Sequence, residues 1–224
     1  LKDYGINNYI FPYQPSLSKS QTLSDVDFEI DSDIYNSNDY MSHDIINIVL
    51  EGQLRSLSIA NLIIKPINYN PVTGMIKVVT SIDFIIDFDG ADILKTDEIK
   101  QKYYSPYFES IYRQIDNYDD GSRDDLVNYP VTYVIISNPI FLNELDDFIE
   151  WKTQKGFNVI MGNTAEIGSS TSAIKGFIED LYYNPSDDIS APSFVLFVGD
   201  VAQVPTYNGT TGSHVTDLYY VEMT

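Results

Sequence analysis

Three strand-like segments alternate with two helix-like segments in the second half of the chain, and this alternation limits the possible folds most strongly. Residues 131–137 (VTYVIIS) are a continuous apolar, β-branched run, which is typical of a strand buried on both faces. Residues 157–161 and 193–198 predict two further buried strands. Between them, apolar residues recur at helical spacing, with Gly156 as a helix stop and the Ser/Thr run at 169–172 as caps. The pattern predicts an α/β (βαβαβ) subdomain with a parallel sheet covered by helices.

The first half of the chain has a different, strand-rich character. Residues 1–42 are rich in Asn, Ser, Asp and Tyr and show little periodicity. Residues 54–64 and 75–88 alternate apolar and polar side chains, as half-buried strands do, and the segment NYNPVTG at 68–74 has Pro and Gly placed to reverse the chain. We therefore predict an antiparallel, all-β domain here and an α+β chain as a whole.

A helix-like segment and a linker separate these two regions. Residues 96–115 have apolar side chains at helical spacing, although Pro106 should interrupt any helix. Residues 116–125 are acidic, polar and poor in apolar side chains, so we predict domains at 1–123 and 124–224. The linker does not fit a calcium loop, because Val127 falls where a bidentate Glu is required.

Charge and composition exclude several classes of function. The chain has 13 basic and 33 acidic residues, a net charge of −20, and this argues against binding to nucleic-acid backbones. Both predicted domains are acidic, with 10 basic and 19 acidic residues before Asp124 (net −9) and 3 and 14 from Asp124 onward (net −11). The charge is compatible with calcium, with basic substrates or with a solvated acidic surface. No apolar run is long enough to predict a membrane span.

Candidate catalytic groups are few. The chain contains no cysteine, so it holds neither a disulfide nor a Cys nucleophile. The cysteine count therefore does not indicate whether the protein works in a reducing or an oxidising compartment. The two histidines, His43 and His214, lack the partner that a Cys–His dyad needs, and we predict no catalytic residue in this chain. No Gly-x-Ser-x-Gly or phosphate-binding glycine motif occurs. Paired tyrosines could form a carbohydrate platform, but adjacent side chains point to different faces, which favours packing.

Asp200 follows the third buried strand, at the edge where open parallel sheets bind ligands. It is either a turn carboxylate that caps backbone amides or a metal ligand, and the residues themselves leave both interpretations open.

Four motifs follow one another in the second half of the chain: WKTQKGF at 151–157, IGSSTSAIKGFI at 167–178, FVGD at 197–200 and VTDLYY at 215–220. In this order they resemble the gingipain-type cysteine peptidases, most closely their lysine-specific branch. In the first half, FPYQPS at 11–16, GQLR at 52–55 and PINYNPVTG at 66–74 resemble the propeptide of the same family.

The resemblance implies a caspase-like fold and an N-terminal piece of a secreted or cell-surface bacterial zymogen. Residues 1–123 would be the latter part of the inhibitory propeptide, and residues from 124 the first subdomain of the catalytic domain. The parent would cleave protein substrates after basic residues, using a Cys and a His that lie outside this chain, in the remainder of the catalytic domain. The start at Leu1 without Met and the stop at Thr224 fit a fragment.

The resemblance also implies two kinds of site. It makes Asp200, and less strongly Asp217, candidate ligands of structural calcium. Residues 124–131 (DDLVNYPV) are similar to the start of a mature catalytic domain, which predicts activation cleavage between Arg123 and Asp124; a plain interdomain linker is the alternative. A non-catalytic scaffold or a sortase of the same family's secretion system stays open as the function. The sequence beyond Thr224 would distinguish these, since a His-Gly turn and a later Cys support the peptidase.

Overall fold

The structure, a computed structural model, describes residues 2–5, 10–41, 43–118, 130–210 and 214–223. The chain forms two compact units that do not divide it at a single point. The first consists of Leu1–Gln53 and Ser58–Ala91, and the second of Leu54–Leu57 and Asp92–Thr224. The short segment Leu54–Leu57 therefore belongs to the second unit, although both of its neighbours belong to the first.

The first unit contains the predicted antiparallel strands. Strands β1 (Lys2–Gly5), β4 (Ile67–Asn70) and β5 (Met75–Val78) form an antiparallel sheet in the order β1–β5–β4. Strands β2 (Ile46–Leu54) and β3 (Leu57–Ile64) form a separate two-stranded sheet. A 3₁₀ turn at Leu23–Asp25 and a short helix, α1 (Ser32–Tyr35), lie between β1 and β2 in the sequence.

The predicted chain reversal at 68–74 is confirmed. The buried Asn70 side chain accepts hydrogen bonds from the backbone amides of Val72 and Thr73, both at 3.0 Å, and Gly74 takes a positive φ of 65°. This is an Asx turn, in which the side-chain amide replaces a backbone acceptor.

Two strand predictions in this unit are wrong in extent. The returning strand ends at Val78 rather than continuing to residue 88, and among the described residues β1 and β4 pair with it only as far as Val78. Residues 54–64 are not one strand either, since a turn at Arg55 and Ser56 separates β2 from β3. Leu50 in β2 is 81% exposed, and only the two end residues of this strand, Ile46 and Leu54, are partly buried.

The second unit is built on the predicted parallel sheet. Strands β6 (Val131–Ser137), β7 (Phe157–Asn163) and β8 (Phe194–Val198) lie in the order β7–β6–β8, and β6 pairs in parallel with both neighbours. The central strand β6 is almost entirely buried, as its continuous apolar run predicts. A small antiparallel hairpin, β9 (Tyr207–Asn208) and β10 (Val215–Thr216), follows β8.

Helices complete this unit. Helix α2 (Ile93–Tyr103) ends before Pro106, and a 3₁₀ turn (Pro106–Phe108) leads into α3 (Glu109–Tyr112), so the predicted interruption is confirmed. A 3₁₀ turn at Pro139–Glu144 precedes α4 (Asp146–Gln154), while α5 (Thr164–Ile167), α6 (Thr171–Tyr183) and α7 (Leu218–Val221) follow.

Helices α4 and α6 cover opposite faces of the parallel sheet. Ile174 and Ile178 of α6 pack in one buried cluster with Val134 and Ile136 of β6, whereas Phe148 of α4 contacts the ring of Tyr133 at a centroid distance of 6.1 Å. Odd and even residues of a strand point to opposite faces, so the two helices lie on different sides. Ser170 caps α6 by accepting a hydrogen bond from Ala173 N, which confirms the predicted cap.

Lys152 of α4 lies over aromatic rings rather than beside a carboxylate. Its Nζ is 4.4 Å from the ring centroid of Tyr133, 4.9 Å from that of Trp151 and 5.3 Å from that of Phe157. Lys155 similarly lies 4.2 Å from the ring of Trp151. Both ammonium groups therefore make cation–π contacts with the helix and the sheet edge beneath it.

Candidate functional site

The turn after β8 lies at the carboxyl edge of the parallel sheet, where the sequence places Asp200. Gly199 has a φ of 140°, and a Cβ at this position would lie 3.0 Å from Gln203 Cβ and 3.3 Å from a ring carbon of Phe141. Only glycine fits both that backbone conformation and that approach. The turn is thus packed against the segment that follows β6, at the edge where parallel sheets place functional groups.

Asp200 acts as a turn residue in this structure. Its Oδ1 accepts a hydrogen bond of 2.7 Å from Val201 N, and its backbone amide donates to Gln203 Oε1 at 2.9 Å. Its carbonyl oxygen accepts hydrogen bonds from the amides of Gln203 and Val204. The capping interpretation of Asp200 therefore has direct geometric support, while its exposed carboxylate keeps oxygen atoms at the surface.

The carboxylates of the described residues do not assemble a metal site on their own. In the described parts of the chain, no group of three or more His, Asp and Glu side chains gathers around a point that could hold a metal ion. Asp217 precedes α7, and its side chain makes no capping hydrogen bond to that helix. Calcium takes six to eight oxygen ligands, so Asp200 and Asp217 would supply only part of a set.

Both histidines have structural surroundings. His214 lies next to the hairpin formed by β9 and β10, where its carbonyl accepts a hydrogen bond of 2.9 Å from Gly209 N. In the first unit, a ring nitrogen of His43 lies 3.1 Å from the carbonyl oxygen of Lys65. Both contacts are to backbone groups, and the prediction that this chain carries no catalytic residue stays a prediction.

The chain after the hairpin is fastened to the sheet and to α6. Tyr220 is fully buried, its hydroxyl donates to the carbonyl of Pro205, and its ring lies 4.8 Å from that of Phe197. Burial raises the pKa of Tyr220 to about 12, with smaller contributions from Tyr207 and Asp217. Lys175 of α6 donates hydrogen bonds of 2.7 Å to the carbonyls of Tyr219 and Glu222. Such contacts give the carboxyl edge of the sheet a fixed arrangement.

The opposite, amino edge of the sheet holds a half-buried arginine, Arg55, in a site that the sequence analysis missed. Arg55 Nε donates to Tyr103 O at 2.7 Å, while Nη1 and Nη2 donate to Pro192 O at 2.8 Å and Ala191 O at 3.2 Å. Its guanidinium carbon lies 5.2 Å from the ring centroid of Phe108 and 5.6 Å from that of Tyr182.

The backbone and the protonation equilibrium of Arg55 both reflect this site. Arg55 is the single non-glycine residue with positive φ in the described chain, at 54°. Loss of water around the guanidinium lowers the pKa of Arg55, an effect that the nearby Tyr182 and Tyr112 oppose. Burial in turn raises the pKa of Tyr112 to about 12, and the charge of Arg55 partly offsets that rise. The motif GQLR at 52–55 was the available sequence signal, but it indicated family resemblance and no role for Arg55.

An aromatic group covers the same amino edge. The ring of Tyr107 lies 5.3 Å from Phe157, the first residue of β7, and 5.0 Å from Phe194, the first residue of β8. Ser193 Oγ donates to Ser105 Oγ at 2.7 Å, and Tyr103 stacks on Tyr182 at 4.9 Å. The segment after α2 therefore packs on the parallel sheet as part of one unit.

The predicted processing residues, Arg123 and Asp124, lie outside the described residues, so their cleavage stays a prediction. The described part of unit two resumes at Pro130, directly before β6.

The sequence matches two family models that adjoin along the chain. Residues 4–115 match Propeptide_C25, and residues 127–224 match Peptidase family C25. The chain belongs to peptidase family C25, with a propeptide segment followed by the start of the peptidase region.

Particular relatives agree with this assignment. Lys-gingipain of Porphyromonas gingivalis is 33% identical over 224 residues, which cover 97% of this chain and 13% of that protein. Gingipain R2 of the same organism is 24% identical over 144 residues, 62% of this chain and 19% of that protein. The chain thus spans about an eighth of the length of the Lys-gingipain that it matches.

Two solved structures are also similar in sequence. One, described as "Structure of Protease", is 34% identical, covers 42% of this chain and 21% of its own, and has a TM-score of 0.38. The other concerns zymogenic latency of gingipain K from Porphyromonas gingivalis, with 28% identity, 34% and 44% coverage and a TM-score of 0.32. Neither TM-score is high enough to support an argument about the fold.

Proposed function

We propose that this chain belongs to the zymogen of a secreted or cell-surface cysteine endopeptidase. It comprises the latter part of the inhibitory propeptide and the first subdomain of the catalytic domain. The parent cleaves protein substrates after basic residues, and its Cys nucleophile and His proton partner lie outside these 224 residues. The observation that carries the proposal is the continuous similarity to Lys-gingipain over 97% of the chain, across both family matches. The family matched at 127–224 is named as a peptidase family, and none of these findings supports the non-catalytic or sortase alternative.

The second unit supplies the scaffold of this function. We assign it to the beginning of a caspase-like α/β fold, which the parallel order β7–β6–β8 and the helices on both faces support. None of the helices in the described ranges is long and apolar enough to cross a membrane.

The test is the activity of the longer precursor that contains this chain. After activation, we expect hydrolysis of Lys- or Arg-nitroanilide substrates that a thiol-alkylating reagent abolishes, because the nucleophile is a thiolate. Comparing the two substrates separates lysine from arginine specificity. A precursor that stays inactive after its propeptide is removed, or that alkylation does not inhibit, would overturn the proposal.

We further propose that Asp200, and less strongly Asp217, contribute carboxylate oxygens to a structural calcium site in the parent. The position of Asp200 at the carboxyl edge of the sheet and its exposed carboxylate support this role. The described residues alone do not complete the six to eight ligands that calcium needs, so further ligands must come from elsewhere in the parent.

Finally, we propose that activation cleaves the chain between Arg123 and Asp124. The support is in the sequence: Arg123 is the single basic residue between Arg113 and Lys152, and the stretch around it is polar and acidic.

A further inference from the structure

One arginine contacts both family segments, and in the sequence it lies well before residues 116–126, which connect them. Arg55, Tyr103 and Phe108 lie within the propeptide match at 4–115, whereas Tyr182, Ala191 and Pro192 lie within the peptidase match at 127–224. The three hydrogen bonds of Arg55 therefore include one carbonyl of the propeptide segment and two of the peptidase segment.

The acceptors form a built site for a guanidinium group. Ala191 and Pro192 precede β8, and Ala191 is 2% exposed. Their carbonyl oxygens accept hydrogen bonds from the two terminal nitrogens of the Arg55 guanidinium. The rings of Phe108 and Tyr182 lie beside the guanidinium carbon. A planar fork with five donors can reach acceptors in several directions, whereas an ammonium group is a point charge on a flexible stem.

Other residues near Arg55 also form contacts between the propeptide segment and the peptidase segment. Tyr103 stacks on Tyr182, Ser105 and Ser193 share a hydrogen bond, and Tyr107 covers Phe194. Each of these pairs has one partner in the propeptide match and one in the peptidase match. The compact second unit therefore contains residues from both sides of residues 116–126.

We propose that Arg55 is the anchor that holds the propeptide segment on the amino edge of the parallel sheet, so that the two segments stay bound after the chain between them is cut. The biological role of this anchor rests on the proposed function, because the anchor would control how readily the cleaved propeptide dissociates from the peptidase segment. The physical claim concerns only contacts within this chain.

The test uses the whole chain with a recognition sequence for a site-specific protease in place of residues 119–126. After cleavage, the dissociation constant of the two fragments is measured by size-exclusion chromatography over a dilution series. We expect the fragments to co-elute at about 1 μM, as a pair with a sub-micromolar Kd does. Fragments that separate at that concentration overturn the proposal.

The decisive comparison is Arg55→Lys with Arg113→Lys in the cut chain. Arg113 pairs with Glu109 one helical turn away, at 3.0 Å and within the same fragment, so it is a matched arginine on the same segment. Arg55→Lys should raise the Kd about tenfold or more, because one ammonium nitrogen cannot occupy the three positions from which Nε, Nη1 and Nη2 of Arg55 reach their carbonyls, and at least one buried acceptor is left unpaired. Arg113→Lys should change the Kd less than about threefold, since an exposed helical pair contributes little.

Two results would contradict the anchor: a Kd for Arg55→Lys within about threefold of the unsubstituted chain, or an equal effect of Arg113→Lys, with threefold corresponding to about 0.7 kcal/mol. Arg55→Gln replaces Arg55→Lys if the latter does not fold before cleavage, and the same limits apply. Because the cut is made by an added protease, an inactive parent would refute the proposed function and leave this result unchanged.

Discussion

Gly162, the residue before the last of β7, should not tolerate even a methyl group, and this prediction tests the packing of the second unit. Gly162 is buried, and a Cβ built there would lie 2.5 Å from Ile136 Cδ1, 2.9 Å from Phe177 Cε1 and 3.2 Å from Ile167 Cδ1. Carbon atoms in contact normally stay about 3.5–4.0 Å apart, so at least two of these side chains must move. Ile136 is fully buried in the core cluster and has little room to do so.

The expected cost follows from two opposing effects. Overpacking a dense core destabilises it by about 1–3 kcal/mol. Replacing glycine by alanine restricts the unfolded chain and returns about 0.4–1 kcal/mol. Gly162→Ala should therefore lower the free energy of unfolding of this unit by about 1–2 kcal/mol.

The matched control is Gly176→Ala in α6. A Cβ at Gly176 meets nothing within 4 Å, and the residue is exposed in the interior of the helix. Alanine is favoured over glycine there by about 0.8–1 kcal/mol, so this variant should be more stable than the unsubstituted chain.

The assay is urea unfolding followed by the fluorescence of Trp151. It is the one tryptophan of the chain and lies in α4, so its signal reports the second unit and not the first. With a slope of about 2 kcal/mol per M, Gly162→Ala should lower the midpoint by about 0.5–1 M.

A double variant makes the argument specific to the contact. Ile136→Val removes the Cδ1 atom that lies nearest to the added methyl group, and alone it should cost about 0.5–1.5 kcal/mol. The double variant should lose less free energy of unfolding than the sum of the two single variants. Ile136→Val opens space next to residue 162, and the methyl group of Gly162→Ala fills that space. Additive losses, or a Gly162→Ala midpoint at or above that of the unsubstituted chain, would refute the packing argument.

Four further predictions follow from the sites. Purified residues 1–224 should hydrolyse no peptide substrate, and turnover that a point substitution within the chain abolishes would refute this. N-terminal sequencing of the matured parent should find a new terminus at Asp124 that Arg123→Ala abolishes; a terminus well inside residues 1–110 or after residue 131 contradicts it. Calcium at about a hundredfold excess over its Kd should stabilise the parent by about 2.7 kcal/mol, and Asp200→Ala should remove that response if the carboxylate is a ligand. Because burial raises the pKa of Tyr220 to about 12, its contribution to stability should persist below its unfolded pKa near 10 and disappear as the pH rises from there to about 12. Between pH 8 and 11, the free energy of unfolding measured by urea titration should therefore fall less for Tyr220→Phe than for the unsubstituted chain. An identical fall in both proteins would contradict this prediction.

The parallel sheet could be predicted because its signals are local. The run at 131–137 is apolar and β-branched throughout, and burial on both faces of β6 follows from that run alone. Ser170 and Gly156 act where the sequence places a cap and a stop, since both functions depend on the immediate backbone. Tyr103 and Tyr182 pack as predicted, although the sequence does not reveal that they pack on each other.

The remaining features depend on contacts between distant residues. Arg55 meets Ala191 across 136 positions, and neither its neighbours nor its spacing indicate where its guanidinium will bind. The same limit explains β5, whose apolar alternation continues past Val78 while its partner strands do not. In the candidate calcium site, the sequence located Asp200 at the sheet edge, but which oxygens surround it depends on tertiary structure.

The three lysines that follow residue 124 affect the electrostatic field of this part of the chain. From residue 124 onward there are three basic and 14 acidic side chains. Each of the three has partners within the fold: Lys152 and Lys155 lie over aromatic rings, and Lys175 binds two backbone carbonyls as well as Glu179 at 3.4 Å. Most of the acidic groups are therefore left facing water with no cation of this region to neutralise them. Dissolved salt should favour the folded form here, because it screens the mutual repulsion of these groups more than it weakens cation–π contacts. At low ionic strength the same field would draw basic peptides toward this region and keep acidic ones away.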